Sequence, residues 1–190
     1  MSCRLIRSCL FIAPAILLLF APLSPLRADQ DNDYSRTNTE YQVKAAFLFK
    51  FAKFVEWPAH KFIEPGSPLI IGVVGADPFG GQLEEAVQDQ RFNDRTVLIC
   101  HVQTMEELRK CHILFVCRSE ISRLSPILSE VRWDNVLTVG DSEKFSSHGG
   151  IINFVMVDNV VRFQINNAAA RRAGLKISSK LLQLSVPQAR

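Results

Sequence analysis

Charge of one sign is scarce in this 190-residue sequence: 22 Lys plus Arg stand against 19 Asp plus Glu, a net of +3. That balance gives no basis for a nucleic-acid binder, which shows a strongly basic domain or stripe. Phosphate-binding glycine motifs are missing too. Gly75 to Gly81 has neither G-x-G-x-x-G spacing nor the terminal Gly-Lys-Ser/Thr that sets a lysine on a phosphate. No G-x-S-x-G presents a serine nucleophile, so His148-Gly149-Gly150 reads as a turn before a strand rather than part of an oxyanion loop. No repeat of solenoid or collagen period occurs, and 13 Phe with only 22% charged residues exclude a disordered chain.

A membrane-spanning run is absent as well. The apolar run Cys9 to Leu23, 15 residues without a charge, falls short of the roughly 18–20 residues a span needs and is interrupted by Pro14 and Pro22. Arg4 and Arg7 precede it without an acid, and Ser24-Pro25-Leu26-Arg27-Ala28 follows, ending in a small residue. Positive, apolar, then cleavable is the order of a secretory signal, so residues 1–28 read as a signal peptide cleaved near Ala28. Cys3 and Cys9 lie before or at the start of the apolar run, where they do not suit a lipid anchor, and no Arg-Arg pair marks the twin-arginine route. Cleavage removes Arg4, Arg7 and Arg27, after which 19 basic residues face 19 acids. Only Cys100, Cys111 and Cys117 then remain of the five cysteines, so an oxidising compartment permits at most one bridge within the chain.

Residues 29–38 are polar and read as a mobile lead-in to one α/β domain over 39–187. Thr39 to Phe54 predicts a helix capped by Asn38 or Thr39, with Val43, Phe47, Phe51 and Phe54 near a 3.6-residue period. Strands are expected over 69–74, 96–102, 112–117 and 135–139, with helices over 82–88, 104–110 and 122–131 between them. Thr104 and Glu107 have capping-box spacing. Such alternation predicts parallel strands joined by right-handed crossovers. Near the C-terminus, 151–157 and 160–165 flank Asp158-Asn159 as an antiparallel hairpin, followed by a helix capped by Asn166 or Asn167 and stopped at Gly174. The expected fold is a single α/β domain: a mixed sheet of about six strands covered by helices on both faces, with a C-terminal hairpin and helix.

Chemistry is harder to find. Asp77 and Asp141 each follow a strand and a glycine, at the strand ends where open α/β sheets bind ligands. They suit a periplasmic small-molecule or metal site in a strand-end crevice, and equally suit turn positions. Cys100-His101 and Cys111-His112 offer zinc little, because adjacent strand residues face opposite ways and each pair supplies one ligand at most. A bridge between Cys100 and Cys117 would have to cross an intervening strand, about 9.6 Å at about 4.8 Å per step, so three free thiols are expected. No catalytic residue, cofactor or metal is assigned. What stands out is aromatic: Phe47, Phe49, Phe51, Phe54 and Trp57 exceed what one helix face takes into a core. That surplus suits either a protein-binding surface or a first helix that lies under the sheet with a second helix covering its back.

The run Glu40-Tyr-Gln-Val-Lys-Ala-Ala-Phe-Leu-Phe-Lys-Phe-Ala-Lys-Phe-Val-Glu-Trp-Pro58 with Ile-Gly-Val-Val-Gly-Ala-Asp-Pro-Phe (71–79) resembles the start of the YfiR family. Cys-His-Ile-Leu-Phe-Val (111–116), Leu-Thr-Val-Gly-Asp (137–141), Gly-Gly-Ile-Ile-Asn-Phe (149–154), Val-Arg-Phe-Gln-Ile-Asn (161–166) and Ala-Gly-Leu-Lys-Ile-Ser-Ser-Lys-Leu-Leu-Gln-Leu (173–184) continue it. The resemblance implies a periplasmic, non-enzymatic repressor that binds the periplasmic domain of an inner-membrane diguanylate cyclase, lowering cyclic-di-GMP and biofilm formation. It also implies an outer-membrane lipoprotein with a peptidoglycan-binding domain as antagonist, and a homodimer. Cysteine pairs link redox state to repression in some members. This chain keeps Cys111 in its motif but has Ile71-Gly72 on the first strand and no cysteine over 145–152.

Overall fold

The computed structural model describes residues 27–187, and the expected signal peptide lies outside them except for its last two positions. Helix α1 (Arg27–Ala52) starts well before the expected cap at Asn38 or Thr39 and runs through 29–38. Thr39 is no cap: its hydroxyl donates to the Ser35 carbonyl one turn back, 3.0 Å away. Such back-bonding lets a threonine sit inside a helix. Buried Tyr41, Lys44, Ala45, Leu48, Phe51 and Ala52 recur at helical spacing and define the inward stripe.

The chain then passes through β1 (Val55–Glu56), β2 (Leu69–Val74), α2 (Gln82–Val87), β3 (Arg91–Phe92), β4 (Arg95–Val102), α3 (Met105–Lys110) and β5 (Ile113–Val116). A 3₁₀ turn leads into α4 (Leu124–Glu130), followed by β6 (Leu137–Gly140), β7 (Ile152–Val157), β8 (Val160–Ile165), α5 (Asn167–Arg172), β9 (Lys176–Ile177) and α6 (Ser179–Leu184). Seven strands form one mixed sheet in the order β3-β4-β2-β5-β6-β7-β8, and β1 pairs with β9 in a separate antiparallel ribbon. Strands β4, β2, β5, β6 and β7 run parallel, with β3 and β8 antiparallel at the edges. The fold is therefore the expected helix-covered mixed sheet, with one more strand than anticipated.

Alternation along the buried strands feeds two cores. Ile71, Val73, Ile113, Phe115, Leu137 and Val139 face the core that α1, α2, α5 and α6 cover, while Val74, Leu114 and Val116 face α3 and α4. Capping chemistry sets the helix starts. Thr104 and Glu107 form the anticipated capping box, and the Asn166 side chain accepts from Ala169 N–H at 3.0 Å. Asp158 and Asn159 both adopt positive φ, 50° and 59°, as a two-residue turn matched to sheet twist requires.

The aromatic surplus is resolved by packing. Phe49 and Phe51 are 5% and 0% exposed, and Phe47, Phe54 and Trp57 pack half-buried against the same core. Phe51 meets Phe154 and Phe163 of the sheet, with ring centroids 5.7 and 5.1 Å away. Trp57 stands edge-on to Phe92. Helix α1 is enclosed by the sheet, by α2 and by β1, so it buries more than one face. Of the two readings of the surplus, enclosure holds for Phe49 and Phe51, which are core residues and not exposed surface, while Phe47, Phe54 and Trp57 stay partly accessible; truncating Phe51 costs about 3–5 kcal/mol.

Candidate functional site

Helix α1 brings Glu40, Tyr41 and Lys44 over the carboxyl end of β6, where Asp141 follows Gly140. Lys44 Nζ donates to Asp141 Oδ2 at 2.6 Å and lies 2.5 Å from Glu40 Oε1; the Lys44 and Asp141 side chains are 2% and 1% exposed. The Tyr41 hydroxyl donates to the same Oδ2 at 2.8 Å. Arg118 Nε stands 3.3 Å from Oδ2 and donates to the Asp141 carbonyl at 3.2 Å. Burial, then the Asp141 charge, pushes the Tyr41 hydroxyl well above its usual range, so it remains a donor. Asp141 is thus the hub of a buried charged cluster rather than a plain turn residue.

Asp77 goes elsewhere. Its Oδ1 accepts from the Phe79 N–H at 2.8 Å, the local bond of an Asx turn, and its Oδ2 accepts from exposed His101 at the same distance. That bond holds the His101 imidazolium above the ordinary histidine range. The two aspartates do not share one cavity: Asp141 lines a crevice with Glu40, Lys44, Arg118, Glu143 and Asn153 that excludes Asp77. Among the described residues, no three His, Cys, Asp or Glu side chains gather as a metal would require.

Cys100, Cys111 and Cys117 carry free thiols. Strand order places β2 between Cys100 and Cys117, as anticipated, but Cys111 is nearer to Cys100 than its place before β5 suggested. Gly72, the register partner of Cys100, has no side chain, and a Cβ there would strike the Cys111 sulfur. The Cys111 Sγ–H donates to the Glu107 carbonyl at 3.5 Å, and the Cys111 side chain across this gap draws the Cys100 thiol down to about 7. The same pairing, then burial, pushes the Cys111 thiol far up, and burial pushes Cys117 up to about 12.

Exposed apolar surface lies on another part of the molecule. Val43, Met156, Val157 and Val160 are 38–48% exposed where α1 meets the β7–β8 hairpin. Between them runs a groove of about 860 Å³ whose walls include Glu40, Val43, Phe47, Met156, Val160 and Arg162. Strand β8 is the edge of the sheet. Among the described residues, the C-terminal segment covers its far end, through Val186 N–H to the Phe163 carbonyl at 2.9 Å and Gln164 to the Pro187 carbonyl at 3.1 Å.

The model of the YfiR/HmsC-like family matches residues 41–186, which takes in α1's packed half, both cores, the Asp141 cluster apart from Glu40, and the hairpin side of the groove. The chain belongs to the YfiR/HmsC-like family. No curated protein matches it. A solved structure from Vibrio cholerae O1 biovar El Tor, titled a conserved domain protein, aligns with a TM-score of 0.47 at 10% identity, over 62% of this chain and 54% of that one. The alignment therefore spans about half of the Vibrio chain.

Of the residues singled out on sequence grounds, this YfiR/HmsC-like chain places Phe47 in the groove and Asp141 in the crevice, and brings Cys100 to Cys111. It consigns Phe49 and Phe51 to the core. Lys44 and Tyr41 were missed. Their one signal was the i,i+4 spacing of Glu40 and Lys44 beside an aromatic stripe, a pattern that solvated helix faces share.

Proposed function

We propose that the protein is a periplasmic regulator acting by protein binding. It holds the periplasmic domain of an inner-membrane diguanylate cyclase in a repressed state and so limits cyclic-di-GMP and biofilm growth. It acts as a homodimer and is drawn away by an outer-membrane lipoprotein that binds peptidoglycan. The observation that supports this most is the YfiR/HmsC-like match across 41–186. The groove is the surface assigned to the cyclase, because contiguous exposed aliphatic side chains beside an uncovered edge strand suit a partner that adds apolar contacts and main-chain hydrogen bonds. Phe47 supplies its aromatic floor; Phe54 and Trp57 steady α1 from below. Co-purification of the exported protein with the tagged periplasmic domain of the cyclase encoded in the same genome tests this. Retention of the wild type and loss with Val160→Glu is expected, and retention of neither speaks against the reading.

A further inference from the structure

All three side-chain donors around Asp141 converge on one oxygen. Tyr41, Lys44 and Arg118 approach Oδ2, while Oδ1, buried just as deeply, has no partner. A second acceptor is left in the same state. Asn153, 3% exposed, lies opposite Gly140 on β7, and its Oδ1 is buried without a donor. Leaving one such acceptor unpaired costs about 1–3 kcal/mol, more for a charged group. Both residues line a cavity of about 360 Å³, the size of small-ligand sites, and Phe154, Val155 and Met156 form an apolar side to it.

The charges around the cavity leave a deficit. Glu40, Asp141 and Glu143 outnumber Lys44 and Arg118 by one negative charge. An anion would meet unpaired acceptors, and a neutral apolar group would leave them unpaired. A bare metal ion would meet a hydrocarbon wall and, among the described residues, no three carboxylate, histidine or cysteine side chains gathered to hold it. We propose that this crevice binds a small organic cation with a primary ammonium group, which donates to Asp141 Oδ1 and Asn153 Oδ1 while its carbon chain lies along Phe154, Val155 and Met156. Bound there, the ligand ties α1 to the ends of β6 and β7. The site does not rest on the cyclase reading: its cavity adjoins the groove and shares Glu40 and Met156 with it, but Lys44, Arg118, Asp141 and Asn153 line the cavity alone.

Propylammonium chloride is the probe, against sodium chloride, 1-propanol and sodium propionate at matched ionic strength. Thermal unfolding of the purified protein and amide chemical shifts are the readouts. Propylammonium alone should raise Tm in a saturable way and move the amides of Lys44, Asp141 and Asn153. Asn153→Leu should weaken binding at least tenfold. Val155→Trp, which fills the cavity from a half-buried position, should abolish it while circular dichroism stays unchanged. Equal effects of propanol or sodium, no effect of propylammonium, or full binding by Val155→Trp would each overturn the proposal; in the second case water alone satisfies the two oxygens.

Discussion

Lys44 Nζ and Asp141 Oδ2 lie 2.6 Å apart with side chains 2% and 1% exposed, an ion pair between residues 97 positions apart that water hardly reaches. Breaking such a pair by removing one member strands a buried charge and costs about 3–5 kcal/mol. Lys44→Met should therefore lower Tm sharply in thermal unfolding. Adding Asp141→Asn to that background should restore much of the loss, because the stranded carboxylate is gone. A Lys44→Met protein as stable as wild type would show that the cluster holds nothing together.

That pair also marks where sequence reading stops. Strands β2 and β5 were legible because short apolar runs are what a doubly covered parallel sheet needs. The Asp158-Asn159 turn was legible because few residues tolerate positive φ. Two-residue strands such as β1, β3 and β9 carry no period to detect. Lys44 was invisible because a lysine on a helix reads as solvated until its partner, nearly a hundred positions away, is placed beside it. The aromatic surplus left two readings open for the same reason: counting helix faces does not say how many neighbours a helix has, and α1 has several.

His112 should give the protein a pH-dependent stability. Burial first, then the nearby charges of Lys61 and Arg95, push its imidazole from 6.5 down to about 4. Its Nδ1 accepts from the Ile70 N–H at 3.1 Å, and its ring stacks 4.4 Å from that of Phe62. Between pH 6.5 and 4 the unfolded chain takes up a proton that the folded chain refuses. The contribution is therefore complete above about pH 6.5 and is lost as pH falls through that window, on the order of 2 kcal/mol. Denaturant titrations at stepped pH should show the slope, and His112→Gln should flatten it. An equal slope in both proteins would assign the dependence to other groups.

Thiol reactivity should single out Cys100. With its thiol drawn to about 7 by Cys111, it is substantially thiolate at neutral pH, whereas Cys111 and Cys117 remain protonated. Iodoacetamide labelling followed by peptide mass spectrometry should find Cys100 modified first, with a rate that rises through pH 7. Gly72→Ala, which pushes a methyl group against the Cys111 sulfur, should slow that labelling. Uniform labelling of all three cysteines would contradict this.

Gly140 and Gly150 flank the Phe145 ring so closely that a Cβ on either would overlap it. Gly150→Ala should cost about 1–3 kcal/mol by overpacking. Phe145→Leu on that background should recover part of it, since the smaller side chain leaves room; the double-mutant cycle reads the coupling directly.

The central claim is repression through the groove between α1 and the β7–β8 hairpin. Cellular cyclic-di-GMP in a strain lacking the gene, complemented with wild type or with Val43→Glu plus Val160→Glu, tests it most directly. Both positions are exposed, so the double variant should fold and be exported at wild-type levels. The account predicts high cyclic-di-GMP without the gene, low with wild type, and high again with the double variant. Unchanged cyclic-di-GMP on deletion, or full repression by the double variant, would contradict it.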